Sequence, residues 1–255
     1  MQAEQRHKLI AAEIASKGSV RVADLVSLLG VSKMTIRRDL EEMEQHSLLR
    51  RVHGGAVGAV SSSYEPPFAQ RAVSAQPSKD RIAQAAAALI KDGDTVILDV
   101  GTTTLAVARA LRGRSQLTVL TPSLHVAGEL ASDPGVRLML TGGLVRAGEL
   151  SLVGPIAEGA FSELIFDALI LGCGGIHPVL GVTEHNLEDA RVKRQALESA
   201  QLRIVVADHT KIGNVAFARV CPLSEIDILV TNATPDQAND DIEAFREHDL
   251  EVILA

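Results

Sequence analysis

Tryptophan is absent from the 255 residues, tyrosine occurs once, and aromatics total 2%. Any core must therefore be built from Val, Leu, Ile and Ala, and apolar residues do make up 46% of the chain. Cysteine occurs twice, at Cys173 and Cys221, with no CxxC and no Cys/His cluster. That excludes a cysteine-based structural zinc site and fits a reduced cytosolic setting. No run approaches the roughly 18 apolar residues of a membrane span. The first residues, with Glu4, Arg6, His7 and Lys8, hold no apolar signal core. A cytoplasmic protein without a membrane partner, metal or other cofactor is expected. No internal repeat is visible.

An excess of positive charge is also lacking. The formal net charge is −7, which on its face argues against a nucleic-acid partner. The distribution reverses that. Residues 1–60 hold nine Lys/Arg against seven Asp/Glu, a net of +2, and residues 61–255 hold sixteen against twenty-five, a net of −9. A chain of this length has room for two domains. A basic end on an acidic body suits a DNA-binding head joined to a ligand-binding body.

The stretch that carries the head is Ser32-Lys33-Met34-Thr35-Ile36-Arg37-Arg38-Asp39-Leu40. Ile36, Leu40 and Met43 recur at i, i+4 and i+7 and share one helical face. Ser32 is placed to cap that helix. Arg37 and Arg38 project sideways, where paired cations suit a polyanion. A shorter helix pattern, Val22 to Leu29, ends at Gly30 just upstream. Helix, glycine turn and capped cationic helix outline a helix-turn-helix. Residues 3–17 read as a preceding helix, with Leu9, Ile10 and Ile14 in one stripe. The segment from Leu48 to Val57, turning at Gly54-Gly55, reads as a hairpin wing that carries Arg50, Arg51 and His53.

Residues 58–78 read as a linker, because Ser61-Ser62-Ser63, Pro66-Pro67 and Pro77 break any regular pattern. Beyond residue 79 the pattern becomes alternating helices and short apolar strands. Helices are expected at 83–90 and 104–111. Strands are expected at 95–99, 117–121, 136–140, 168–171, 203–207, 226–231 and 252–254. Continuous apolar strands separated by helices argue for a mostly parallel α/β sheet covered on both faces. The expected domains are thus a winged helix-turn-helix at 1–57, the linker at 58–78, and an α/β body at 79–255.

The run Val31-Ser32-x-x-Thr35-Ile36-Arg37-Arg38-Asp39-Leu40, followed by Arg51-x-His53-Gly54-Gly55-Ala56, resembles the signature of the DeoR family of bacterial transcriptional regulators. The resemblance continues through Phe68-x-x-Arg71, Lys79, Asp99-x-Gly101-Thr102-Thr103-Thr104, Thr141-Gly142-Gly143, Gly172-x-Gly174-Gly175, Gly181-x-Thr183, Val192-Lys193-Arg194 and Asp208-x-x-Lys211. It covers essentially the whole chain. Two departures are Ser78, where the family usually has Glu, and Pro122 after Thr121, where Asn is common. The resemblance implies an operator-binding regulator with a phosphosugar-sensing body, similar in fold to ribose-5-phosphate isomerase.

In the head, Thr35, Arg37, Arg38 and Arg51 suit phosphate contacts, with Ser32 and His53 beside them. Base reading falls to Lys33 and Met34, at the N-terminal end of the recognition helix and aimed away from its apolar face. In the body, Asp99 to Thr104 spans a strand end and a helix start, the place where open α/β sheets bind ligands and helix N–H groups meet phosphate. From spacing alone this is equally a capped turn, and the resemblance favours the effector. Thr121, Gly142, Gly143, Gly174 and Gly175, all after strands, are expected as further pocket walls. Asp208, Lys193 and Lys211 are expected to contact the effector, Lys211 by neutralising phosphate.

Aldose–ketose isomerisation needs a base, and the isomerase carries an acid cluster after a central strand. The comparable place here reads Leu171-Gly172-Cys173-Gly174-Gly175, without a carboxylate. A regulator without catalytic residues is therefore expected, acting as a homodimer or homotetramer on operator DNA. The alternative is a sugar-phosphate isomerase with a DNA-binding appendage.

Overall fold

A computed structural model of the chain describes residues 3–17, 19–45, 49–52, 54–58, 63–233 and 235–255. They belong to two compact units, Met1–Ser61 and Ser62–Ala255.

The first unit contains α1 (Ala3–Lys17), β1 (Ser19–Arg21), α2 (Val22–Leu29), α3 (Lys33–Gln45), β2 (Leu49–Val52) and β3 (Gly55–Gly58). Gly30 ends α2 in the left-handed conformation, φ 65°, and its N–H closes on the carbonyl of Val26 at 3.0 Å. The Ser32 hydroxyl oxygen then accepts the Thr35 N–H at 3.1 Å and opens α3. Ile36, Leu40 and Met43 are buried together with Ile10, Leu25 and Leu49. The three strands pair antiparallel in the order β1-β3-β2, so the short segment before α2 completes the wing. Asp39 is buried and receives two bonds of 2.7 Å from the Arg6 guanidinium. The family-motif aspartate thus ties α1 to α3.

The second unit begins with α4 (Phe68–Val73) and α5 (Gln76–Ala87). There follow β4 (Thr95–Leu98), α6 (Thr102–Ala110), β5 (Leu117–Thr121), α7 (Leu124–Leu130), β6 (Val136–Leu140), β7 (Leu144–Arg146), β8 (Ser151–Val153) and α8 (Pro155–Gly159). The chain continues through β9 (Phe166–Leu171), β10 (Gly175–His177), β11 (Gly181–Glu184), α9 (Leu187–Glu198) and β12 (Ala200–Ala207). It closes with β13 (Ala218–Cys221), β14 (Ile228–Thr231), α10 (Pro235–Glu247) and β15 (Glu251–Leu254).

Seven strands form one parallel sheet in the order β15-β14-β12-β9-β4-β5-β6. Alternate residues feed two apolar clusters, one on each face. Val96, Leu98, Ile170 and Val206 lie in one, and Ile97, Leu169, Leu171 and Val205 in the other. This double burial explains the unbroken apolar strands. The chain builds outward from β4 to β6, then returns to β9 and builds the other way. The reversal lies between β4 and β9, and a crevice opens outside their carboxyl ends.

Three sequence expectations are corrected. The segment read as irregular linker contains α4, and α5 begins at Gln76 rather than Ala83. The prolines misled because they open helices here. Pro67 precedes α4, and Pro77 sits in the first turn of α5, where no N–H is needed. The helix expected from Thr104 starts at Thr102. The hairpin β7-β8 and the small sheet β10-β11-β13 were not foreseen, since strands of three or four residues are too short to show alternation.

Candidate ligand cavity and nucleic-acid face

The crevice between β4 and β9 holds a cavity of about 220 Å³. One wall is Gly101, Thr102, Thr103 and Thr104. Another is Gly172 and Cys173 after β9, with Asp208, Thr210 and Lys211 after β12. Glu149, Glu184 at the end of β11, His185 and Asp189 in the first turn of α9 also line it, with Glu65, Gln70, Arg71, Ser74 and Lys79 from the segment before β4.

Gly101 precedes α6 at φ 117°, a conformation that disfavours any side chain, and no side chain caps the helix. The first helical bond runs from the Leu105 N–H to the Gly101 carbonyl at 3.0 Å. The N–H groups of Thr102, Thr103 and Thr104 therefore lie outside the helical ladder, at the positive end of its dipole. Lys211 lines the same cavity. Asp208 caps the short turn that carries Lys211, accepting the Thr210 N–H at 2.9 Å.

Beneath the cavity lies a buried charge cluster. The Lys193 ammonium bonds the Asp99 carboxylate, reaches the Gly172 carbonyl at 3.0 Å, and pairs with Glu184 at 3.2 Å. Asp99 also accepts the Gly172 N–H at 2.9 Å and so pins the end of β4 to the end of β9. Burial pushes the Asp99 carboxyl up, against the pull of Lys193. Burial would lower the Lys193 ammonium, but Asp99 and Glu184 more than offset it and hold it above its usual range.

Of the expected effector residues, Gly101, Thr102, Thr103, Thr104, Asp208 and Lys211 come together around the cavity. Asp99 and Lys193 do not line it, because each is spent on the other underneath. Thr121, Gly142, Gly143, Gly174 and Gly175 do not line it either. The Thr121 hydroxyl is fully buried and accepts the Ser123 N–H at 3.0 Å. Gly142 and Gly143 pack against α8, and Gly174 and Gly175 pack against residues 214–216. A Cβ on Gly175 would sit 2.3 Å from the Asn214 carbonyl oxygen.

In the first unit, Lys33, Arg37 and Arg38 are exposed and make no ion pair among the described residues. Met34 is 73% exposed, on the side of α3 away from buried Ile36. Ser32 and Thr35 share a hydroxyl–hydroxyl bond of 2.9 Å, so both serve the cap. Arg51 pairs with Glu41 at 3.3 Å, and its N–H donates to Glu44 at 2.6 Å. The wing cation is thus anchored to α3, a restraint the sequence did not reveal. His53 lies outside the described residues.

Two family models match the chain. The DeoR-like helix-turn-helix domain covers residues 6–62, and the DeoR C terminal sensor domain covers residues 74–233. The chain belongs to the DeoR family of transcriptional regulators.

Among relatives of this DeoR-family chain is the putative aga operon transcriptional repressor of Escherichia coli O157:H7. It is 36% identical over 253 residues, covering 98% of this chain and 93% of that protein. The glycerol-3-phosphate regulon repressor of Escherichia coli K12 is 35% identical, covering 92% and 93%. Among solved structures, ribose 5-phosphate isomerase A of Methanocaldococcus jannaschii aligns at 16% identity. It covers 54% of this chain and 55% of its own, with a TM-score of 0.42.

Glu65, Arg71, Glu149, Glu184 and His185 are cavity residues that sequence reasoning did not assign to the site. Arg71 alone carried a signal, through the Phe68-x-x-Arg71 motif. An isolated acid outside an apolar pattern reads as solvated, and Glu149 and Glu184 are buried. The family departure at Pro122 is accommodated because that residue is used through its carbonyl, which accepts the Leu152 N–H at 2.7 Å. Ser78 lies in the first turn of α5, its N–H closing on the Ala75 carbonyl at 3.0 Å.

Proposed function

We propose that this regulator represses a carbohydrate-use operon and is released from its operator by a phosphorylated sugar or polyol bound in the cavity. The observation that carries this reading is the uncapped N-terminus of α6, opening on the same cavity as Lys211. Free backbone N–H groups, a helix dipole and one ammonium are complementary to a phosphate. The relatives named as repressors of an aga operon and of a glycerol-3-phosphate regulon support it. The cavity is small beside the 300–1,000 Å³ typical of drug-sized ligands, in keeping with a small metabolite. The ligand must bind the DNA-competent and released states unequally, or it shifts nothing. The winged head supplies one half-site contact, so a homodimer or homotetramer on paired half-sites is part of this reading.

The rival is an isomerase, and it gains one point. Carboxylates beyond the expected Asp208 line the cavity, namely Glu65, Glu149, Glu184 and Asp189. They are nevertheless engaged. Glu184 accepts the His185 N–H at 2.7 Å and pairs with Lys193. Burial would raise its carboxyl, yet Lys193 and His185 together offset burial and hold it below the usual range, which makes it a weak base. Burial pushes the Cys173 thiol up to about 12, the direction opposite to that of an activated nucleophile.

A thermal-shift screen against a panel of phosphorylated sugars and polyols tests the proposal. A selective phosphorylated ligand stabilises by about 2.7 kcal/mol at a hundred times its Kd. It should also release an operator fragment, while its unphosphorylated counterpart does neither. Equal binding by the Lys211→Ala variant would move the phosphate elsewhere. Turnover of ribose 5-phosphate that Lys211→Ala abolishes would favour the isomerase.

A further inference from the structure

The stretch between the DNA-binding head and α5 forms part of the cavity wall, and it is held there by charge. Arg71, on α4, donates to the Pro66 carbonyl at 2.9 Å and pairs with Glu65 at 2.8 Å and with Glu149. The second oxygen of Glu65 takes Arg146 at 3.0 Å, and Arg146 reaches Asp189 at 2.5 Å. Phe68 stacks on His125 with ring centroids 3.8 Å apart, and the Arg71 guanidinium lies 5.7 Å from the Phe68 ring. Lys79 closes the end of α4 through the carbonyls of Arg71 and Ser74. The side chains of Glu65, Arg71 and Arg146 are only 16–19% exposed, and those of Glu149 and Asp189 only 3–4%.

Both guanidiniums here are spent on carboxylates, Arg71 on Glu65 and Glu149 and Arg146 on Glu65 and Asp189. Neither guanidinium stands free for a phosphate. Carboxyl groups offer more hydrogen-bonding sites than two arginines fill. The groups that satisfy such a wall are hydroxyls. Burial pushes the Glu149 carboxyl up to about 8 and the Asp189 carboxyl up to about 6, so the guanidiniums leave both undercompensated.

We propose that Glu65, Arg71 and Glu149 form the hydroxyl-reading end of the cavity, so that the interdomain segment itself is a ligand contact. This rests on the phosphate reading of the α6 N-terminus. It narrows the ligand to a phosphorylated polyol or sugar with free hydroxyls remote from the phosphate. It also supplies a route for induction. A hydroxyl bonded to Glu149 or Glu65 competes with Arg71 for those oxygens and changes the hold on α4, whose chain leads back to the DNA-binding unit.

The experiment uses calorimetric titration of the full chain with inorganic phosphate and with a panel of glycerol 3-phosphate and triose, pentose and hexose phosphates. The variants are Glu65→Gln, Glu149→Gln and Arg71→Gln. The wild type should bind at least one sugar or polyol phosphate tenfold or more tightly than inorganic phosphate. The variants should reduce that preference to threefold or less, with affinity for inorganic phosphate changed less than twofold. Preference retained in Glu65→Gln overturns the proposal, as does an equal loss of phosphate and sugar-phosphate binding. Glu65→Gln decides alone if Arg71→Gln does not fold. A wild type that binds no phosphorylated probe and no phosphate overturns the cavity reading and this proposal together, a failure visible without any variant.

Discussion

Replacing Lys193 by methionine removes one buried cation and strands two carboxylates. Lys193 is 1% exposed and touches Asp99, Glu184 and the Gly172 carbonyl. Methionine is a straight chain of similar reach, so packing changes little and the loss is electrostatic. Removing one partner of a buried pair costs about 3–5 kcal/mol, a large share of the roughly 5–15 kcal/mol that holds a domain together. At about 2–4 °C per kcal/mol for a unit of this size, the transition of the sensor unit should fall by roughly 6–20 °C. The cost should shrink with acidity. Without Lys193, Asp99 and Glu184 escape burial as anions by taking protons, so the variant should approach the wild type as the pH falls. Differential scanning calorimetry of the full chain at pH 8 and pH 5.5 reads both effects. Asp99→Asn added to Lys193→Met should recover part of the loss, since the two sites are coupled. A fall of under about 3 °C at pH 8, or a loss independent of pH, would show that water reaches the cluster and would refute the reasoning.

Three further outcomes are expected. Arg37→Ala should weaken binding to every operator similarly and flatten the logarithmic salt dependence by about one unit; an unchanged slope in anisotropy titrations removes Arg37 from the phosphate contacts. Asp39→Asn takes the carboxylate from Arg6 and should destabilise the head; an unchanged urea midpoint for the head would count against that pair. Glu149→Gln should flatten the pH dependence of stability. Burial places the folded carboxyl at about 8 against an ordinary 4.5, so between those values the folded chain keeps a proton that the unfolded chain has lost. The wild type therefore loses stability as pH rises through that window, and a variant melting profile from pH 5 to 9 parallel to the wild type contradicts the assignment.

The charge pattern of the body has a common cause. The crevice between β4 and β9 exists because the chain reverses its direction of sheet building there. Loops that follow different strands converge on it, and each brings polar side chains. Those nearest the sheet are cut off from water and must pair, as Asp99 and Lys193 do. Those nearer the opening line the cavity, as Thr210 and Lys211 do. The same family-motif residue types thus split into pairs buried beneath the cavity and groups that line it.

Much of the head was legible because its determinants are local. The i, i+4, i+7 stripe of Ile36, Leu40 and Met43, the Ser32 cap and the Gly30 stop all lie within fourteen residues. Helix periodicity and capping are short-range properties. The strands of the body were legible for a similar reason, since burial on both faces demands unbroken apolar runs. The prolines of residues 66–77 were misread because the same residue breaks a helix interior and starts a helix.

Sequence alone therefore determined the two-part plan, the helix-turn-helix with its outward Lys33 and Met34, and the place of the Gly101 turn between a strand end and a helix start. The tertiary structure decided which charges meet. Asp99 finds Lys193 across 94 residues of chain, Arg71 finds Glu149 across 78, and Glu65 finds Arg146 across 81. Neither burial nor partnership is a local property. A carboxylate's role follows from its depth and from the cation the fold brings to it, and both appear only when the sheet closes around the crevice.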